Sequence, residues 1–284
     1  MLPFSVIDTH VHLWDPALMR YPWLDSIPLL NRAHLPSDYA AACGPIQVDK
    51  IVFIQCECEP VQFLDEFAWV AGLAKTEPRI QAIVPWAPLE KGDKAREALD
   101  RLVGNPLTKG VRRIIQFEED IEFCLRPEFV RGVQLLENYD LHFEICIAHR
   151  QLANTIKLVR QCPNVRFILD HIGKPDIANH VFEPWGSEIK ALAEMPNVWC
   201  KVSGLVTEAD HRNWTIEDLK PFVSHVLECF GVARCMYGSD WPVARLAAEY
   251  PRWTETLWAA TDAPTQDERR GLFRGNAEEF YRLR

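Results

Sequence analysis

Leu141-His142-Phe143-Glu144-Ile145-Cys146-Ile147 alternates apolar and polar side chains, and residues 150–161 follow it with a helical pattern. Successive side chains of a strand point to opposite faces. Leu141, Phe143, Ile145 and Ile147 therefore pack outward against helices, and His142, Glu144 and Cys146 face the interior of the sheet. A glutamate on that inner face is costly to bury unless it is paired or metal-bound. Glu144 is thus a candidate substrate-site residue.

The same strand-then-helix unit recurs from end to end. Strands are predicted at 5–11, 50–55, 80–85, 110–116, 141–147, 165–171, 198–203 and 235–239. Helical patterns fall between them, at 62–74, 94–103, 128–138, 150–161, 216–229 and 249–260. Regular alternation of this kind implies a parallel sheet. Eight units in 284 residues favour one α/β domain over residues 1–284, closed as a (β/α)8 TIM barrel. No glycine-rich dinucleotide or P-loop signature argues for an open sheet. The long irregular stretch 14–36 follows the first strand, on the face where barrel enzymes carry their chemistry, and is a candidate lid. The tail, 265–284, reads as two short helices broken at Gly275-Asn276.

Composition narrows the function. The formal charge is −9, which argues against nucleic acid or an anionic membrane as partner. No apolar run approaches the ~20 residues of a membrane helix, and the N-terminus shows no signal-peptide pattern. The nine cysteines are odd in number, fit no disulfide framework and sit mostly in apolar runs. They read as reduced thiols of a cytoplasmic protein. A monomer or homodimer acting on a small molecule is expected.

Barrel chemistry sits at the C-terminal ends of strands. On the first strand, strict alternation places Asp8, His10 and His12 on one face, opposite Ile7 and Val11. Two histidines at i and i+2 can bind one metal. The second strand ends with Gln55 and Glu57 on one face, both candidates for substrate binding. Arg112 and Gln116 share a face of the fourth strand, and Arg112 can hold a carboxylate or a developing oxyanion. His171 follows the sixth strand on the face of Leu169. Asp240, at the end of the last strand, suits a general base or a metal ligand. Lys174 and Trp241 are further candidates for contact with substrate.

Taken in order, several strand-end motifs resemble the amidohydrolase superfamily, in its lactonase branch. They are Asp8-x-His10-x-His12-x-Trp14, Asp170-His171-x-Gly173-Lys174-Pro175, Lys201-x-Ser203-Gly204, Gly238-Ser239-Asp240-Trp241-Pro242 and Gly275-Asn276-Ala277-x-x-Phe280-Tyr281. The resemblance implies a (β/α)8 barrel that opens a lactone with water. It implies His10, His12 and Asp240 as metal ligands, and Asp240, His171 and Arg112 as catalytic groups. The wider superfamily often carries a bridging lysine or glutamate on strand four, where this chain has Arg112. That departure argues against a binuclear centre; the branch works with one divalent ion, zinc foremost, or with none.

The expected reaction is hydrolysis of a sugar-acid lactone of the L-fucono-1,5- or L-rhamnono-1,4-lactone type. Two rivals follow from the same residues. A metal-dependent decarboxylase of an aromatic acid on this barrel would release carbon dioxide where a lactonase releases a proton. A non-catalytic binding protein would tolerate Asp240→Asn without loss.

Overall fold

Short parallel strands and intervening helices account for most of the computed structural model, which describes residues 2–261 and 265–283. The strands are β1 (Val6–Val11), β2 (Val48–Ile54), β3 (Ile80–Val84), β4 (Gly110–Arg112), β5 (His142–Ile145), β6 (Phe167–Leu169), β7 (Val198–Val202) and β8 (Cys235–Tyr237). They pair in sequence order, β1-β2-β3 and β4 through β8, and every pair is parallel. Two seams join these arcs. Ile83 bridges Thr108, and Arg112 N donates to Pro85 O at 3.0 Å. On the other side Val11 bridges Trp241, and Asp240 N donates to His10 O at 2.9 Å. The sheet is therefore closed, and the chain forms the expected single α/β barrel.

The helices are α1 (Pro36–Cys43), α2 (Phe63–Leu73), α3 (Arg96–Leu102), α4 (Pro127–Leu135), α5 (Leu152–Gln161), α6 (Trp185–Ala193), α7 (Leu205–Glu208), α8 (Ile216–Phe230), α9 (Tyr250–Ala260), α10 (Gln266–Arg270) and α11 (Asn276–Tyr281). Outward strand residues such as Phe143, Ile145 and Leu169 join the helices in the main core. A second, smaller core fills the barrel: Ile7, Ile54, Val84, Ile168 and Met236, with Phe280 and Tyr281 of α11 closing its base.

Four strands, β4, β5, β6 and β8, end two to four residues earlier than the alternation suggests. β6 and β8 leave the ladder because His171, Ile172 and Asp240 take positive φ, which no extended strand can hold. Beyond β4, Ile115 N and Gln116 N both donate to the single carbonyl of Cys146, so regular pairing stops. The tail also differs from the two-helix reading. Gly275 and Asn276 are both helical (φ −61° and −64°), and a π-turn over Gly271–Gly275 joins α10 to α11. The Asn276 side chain does not cap; it donates to the carbonyls of Val232 and Cys235 and ties the tail to β8.

The stretch 14–36 is anchored. Trp14 bridges His34, and its indole N–H donates to Arg32 O at 2.9 Å. Trp23 donates to Cys56 O at 2.8 Å, which fastens the segment to the end of β2. Tyr21, Leu24 and Leu30 are buried beneath it. All nine cysteines are free. No helix among the described residues is long and apolar enough to cross a membrane.

One buried acid sits where β2 meets α2. Glu66 is 2% exposed and accepts from Cys56 N at 3.2 Å. Burial pushes its carboxyl up to about 8, from an ordinary 4.5. Because the folded-state value lies above the unfolded one, the contribution of the protonated acid is complete below about pH 4.5. It is lost as the pH rises toward 8, at about 1.4 kcal/mol per unit. Glu66→Gln is expected to flatten this decline. Urea midpoints at pH 5 and pH 8.5 measure it; a variant that declines as steeply as the parent would refute the assignment.

Candidate active site

The first strand is where strict alternation fails. Asp8 pairs with Ile51 and Val11 with Phe53, so three steps on β1 match two on β2. Such a bulge resets which side each residue faces. Asp8 therefore points outward, accepting from Tyr39 Oη at 2.8 Å and Ser239 N at 2.8 Å. It locks β1 to β8 and lies apart from the expected inner face. His10 and His12 turn inward, on the side of Ile7.

Three imidazoles converge on Asp240. Its Oδ1 lies 3.4 Å from His12 Nε2, 3.8 Å from His10 Nε2 and 4.0 Å from His171 Nε2. Donor atoms bound to one tetrahedral zinc stand about 3.3 Å apart. His10, His12 and Asp240 thus form a compact donor group, all buried. The other ring nitrogens explain the orientation. His12 Nδ1 donates to Ile54 O at 2.8 Å, a carbonyl that can only accept, so His12 Nε2 keeps its lone pair for the site. His171 Nδ1 lies 2.9 Å from Ser203 Oγ, a hydroxyl that can donate or accept. His171 Nε2 can therefore bear either a proton or a lone pair. Burial, reinforced by the nearby Lys201 and Arg112 charges, holds His10 well below the usual imidazole range, so it is neutral. Burial alone would raise Asp240, but His171, His12 and Lys174 outweigh it and keep the carboxyl low and ionised. A divalent cation fits this set. Ligation by His10 Nε2 requires Arg112 Nη1, now 3.2 Å away, to yield that contact.

His171 reaches the centre by a backbone turn. As a continuation of β6 it would share the outward face of Leu169. Instead its φ is +54°, and the ring swings into the mouth. Gly204 makes room: with φ +65°, a Cβ there would lie 2.5 Å from His171 Nδ1. Asp170 takes the inner place, in phase with Ile168.

Beneath the histidines lies a buried ionic cluster. Lys201 Nζ is 2.5 Å from Glu144 Oε2, 3.3 Å from Asp170 Oδ1 and 3.4 Å from His10 Nδ1. Arg112 donates to Gln55 O at 2.6 Å and to Asp170 at 3.3 Å. Burial would raise both acids, but Lys201 holds Glu144 down, and Lys201 with Arg112 holds Asp170 down. Glu144 also accepts from Tyr281 Oη at 2.6 Å and lies 3.2 Å from His142 Nε2.

A cavity of about 190 Å³ opens above the histidines. His12, Arg112, His171 and Asp240 line it, as do Glu57 and Lys174. Gln55 lies behind Glu57, fully buried. Like Gln55, two further expected substrate contacts do not line it. Glu144 sits a layer below the cavity, its charge taken up by Lys201. Trp241 is 2% exposed and packs edge-on to His34 and Tyr39, filling the core behind Asp240. The sequence reading passed over Asp170 and Lys201 as individual charges. The alternation of β6 and β7 points both inward, so the signal was present in the pattern. Trp23, in a short 3-10 helix (Pro22–Ser26), and Ile27 and Phe117, in loops, form an apolar wall and leave no such signal.

Removing one member of a buried ionic cluster strands its partners, at a cost of about 3–5 kcal/mol. Lys201→Met is expected to lower stability by that order in urea unfolding. Adding Glu144→Gln to the same chain should recover part of the loss; an additive further loss would show that the pair is not coupled.

Comparison with known proteins agrees with this architecture. The sequence profile described as Amidohydrolase matches residues 7–283. An L-fucono-1,5-lactonase from Burkholderia multivorans is 32% identical over 98% of this chain and 96% of its own. An L-rhamnono-gamma-lactonase from Scheffersomyces stipitis is 23% identical over 100% of both chains. The crystal structure of a Burkholderia multivorans amidohydrolase with bound zinc superposes with a TM-score of 0.89 at 30% identity, covering 99% of this chain and 100% of that one. With its eight-stranded barrel and its strand-end histidines and aspartate, the chain belongs to the amidohydrolase family.

Proposed function

We propose that the protein hydrolyses a sugar-acid lactone, of the L-fucono-1,5- or L-rhamnono-1,4-lactone type, to the open aldonic acid. The observation that carries this reading is the convergence of His10, His12 and His171 on one ionised carboxylate, Asp240, at the floor of a cavity sized for a small ring. The sugar lactonases among its relatives supply the substrate class.

Asp240 takes a proton from the attacking water as the water oxygen bonds to the lactone carbonyl carbon. His171, with Ser203 donating to Nδ1, presents an Nε2–H to the carbonyl oxygen as it gains charge. Arg112 lies in the same wall and adds positive potential there. When the ring C–O bond breaks, Asp240 returns its proton to the departing ring oxygen. The product carboxylic acid then ionises and releases one proton to solvent. His10, His12 and Asp240 would hold the divalent ion, zinc foremost, which when bound acidifies water and polarises the carbonyl. If no ion is used, polarisation falls to His171 and Arg112.

A pH-indicator assay across sugar 1,4- and 1,5-lactones, with and without chelator, tests the reading. Acid release on a sugar lactone is expected, and chelation should abolish it reversibly if zinc serves the site. Asp240→Asn should reduce turnover about 10²–10⁴-fold. No acid release from any lactone, with carbon dioxide released from an aromatic acid instead, would establish a decarboxylase.

A further inference from the structure

The charges around the cavity do not balance, and the imbalance has a sign. Arg112 lines the wall, but its guanidinium is engaged by Asp170 and Gln55 O below. Lys174 faces Glu208 at 3.6 Å, one cation against one carboxylate. Asp240 belongs to the donor group that would hold the divalent ion. Glu57 remains, and among the described residues it forms no ion pair.

Glu57 is held in one conformation at the cavity wall. Its backbone takes φ +53°, a conformation a side-chain-bearing residue adopts only when its surroundings impose it. Gln55 imposes it through two bonds: Glu57 N donates to Gln55 Oε1 at 2.6 Å, and Gln55 Nε2 donates to Glu57 Oε1 at 2.7 Å. Gln55 is itself fully buried and fixed through its carbonyl by Arg112. The lock uses one carboxylate oxygen; Oε2 has no hydrogen-bond partner among the described residues. A carboxylate is an acceptor only, so this oxygen recognises O–H or N–H donors and repels anions.

We infer that Glu57 is the specificity-determining residue of the cavity, selecting neutral, hydroxyl-bearing lactones and rejecting carboxylated ones. This rests on the lactonase reading given above. A ring hydroxyl donates to Glu57 Oε2, whereas a ring carboxylate placed there meets its fixed negative charge.

Glu57→Gln tests this without disturbing the lock, because the amide oxygen still accepts from Gln55. Kinetics are measured for parent and variant on neutral sugar lactones and on muconolactone and pyrone-dicarboxylate lactones. The parent is expected to favour a neutral lactone by about 100-fold in kcat/KM. The variant should raise KM for that lactone about tenfold, hold kcat within about threefold and narrow the preference. Glu57→Lys should narrow it further or reverse it. A parent that prefers a carboxylated lactone, or a variant with unchanged KM, overturns the inference. If no lactone is hydrolysed, the lactonase reading fails by itself, and thermal shifts decide the specificity. Stabilisation by a neutral sugar lactone that Glu57→Gln loses supports the role of Glu57. Stabilisation by the dicarboxylate alone, or no difference between parent and variant, overturns it.

Discussion

The ion cluster around Lys201 is the constraint on which the rest of the site depends. One ammonium in the barrel interior holds two carboxylates, Glu144 and Asp170, in their ionised forms. Asp170 in turn faces Arg112 and His10. The imidazole therefore sits among fixed charges, and its orientation is settled before any ligand arrives. Such clusters contribute little net stability, because desolvation offsets attraction. They contribute placement. Here the placement extends from Tyr281 at the base to Asp240 at the mouth through a continuous series of polar contacts.

The site is built in layers with separate tasks. The lowest layer, Glu144 with Tyr281 and His142, neutralises Lys201 from below. The middle layer, Asp170, Arg112 and Lys201, orients His10. The top layer of three histidines and Asp240 carries the reacting groups. Carbonyl and hydroxyl partners at Ile54 and Ser203 assign the ring nitrogens, so the chemistry is written partly in the backbone.

Much of this was legible in the sequence because β-structure has a period of two. The alternation in 141–147 correctly sent Glu144 inward, and the ordered strand ends marked His10, His12, His171 and Asp240. The same rule failed where the backbone departs from extension. A bulge turned Asp8 away from His10, and a left-handed turn turned His171 toward it. Neither is visible as composition: both depend on the pairing of β1 with β2 and on the space beside Gly204. Glu144 and Trp241 face structure rather than substrate for a related reason. Pattern assigns a side, and depth along the barrel axis is set by tertiary packing.

The joining of β1 to β8 also governs when the centre can exist. Asp8 and Ser239 meet across 231 positions of sequence. At translation rates of 5–20 residues per second, the first strand waits roughly 10–50 s for its neighbour to be synthesised. Throughout that interval His10 and His12 lie on an unpaired strand edge. The binding centre cannot form until residue 240 has been synthesised, because Asp240 meets His10 and His12 where the start and the end of the barrel join.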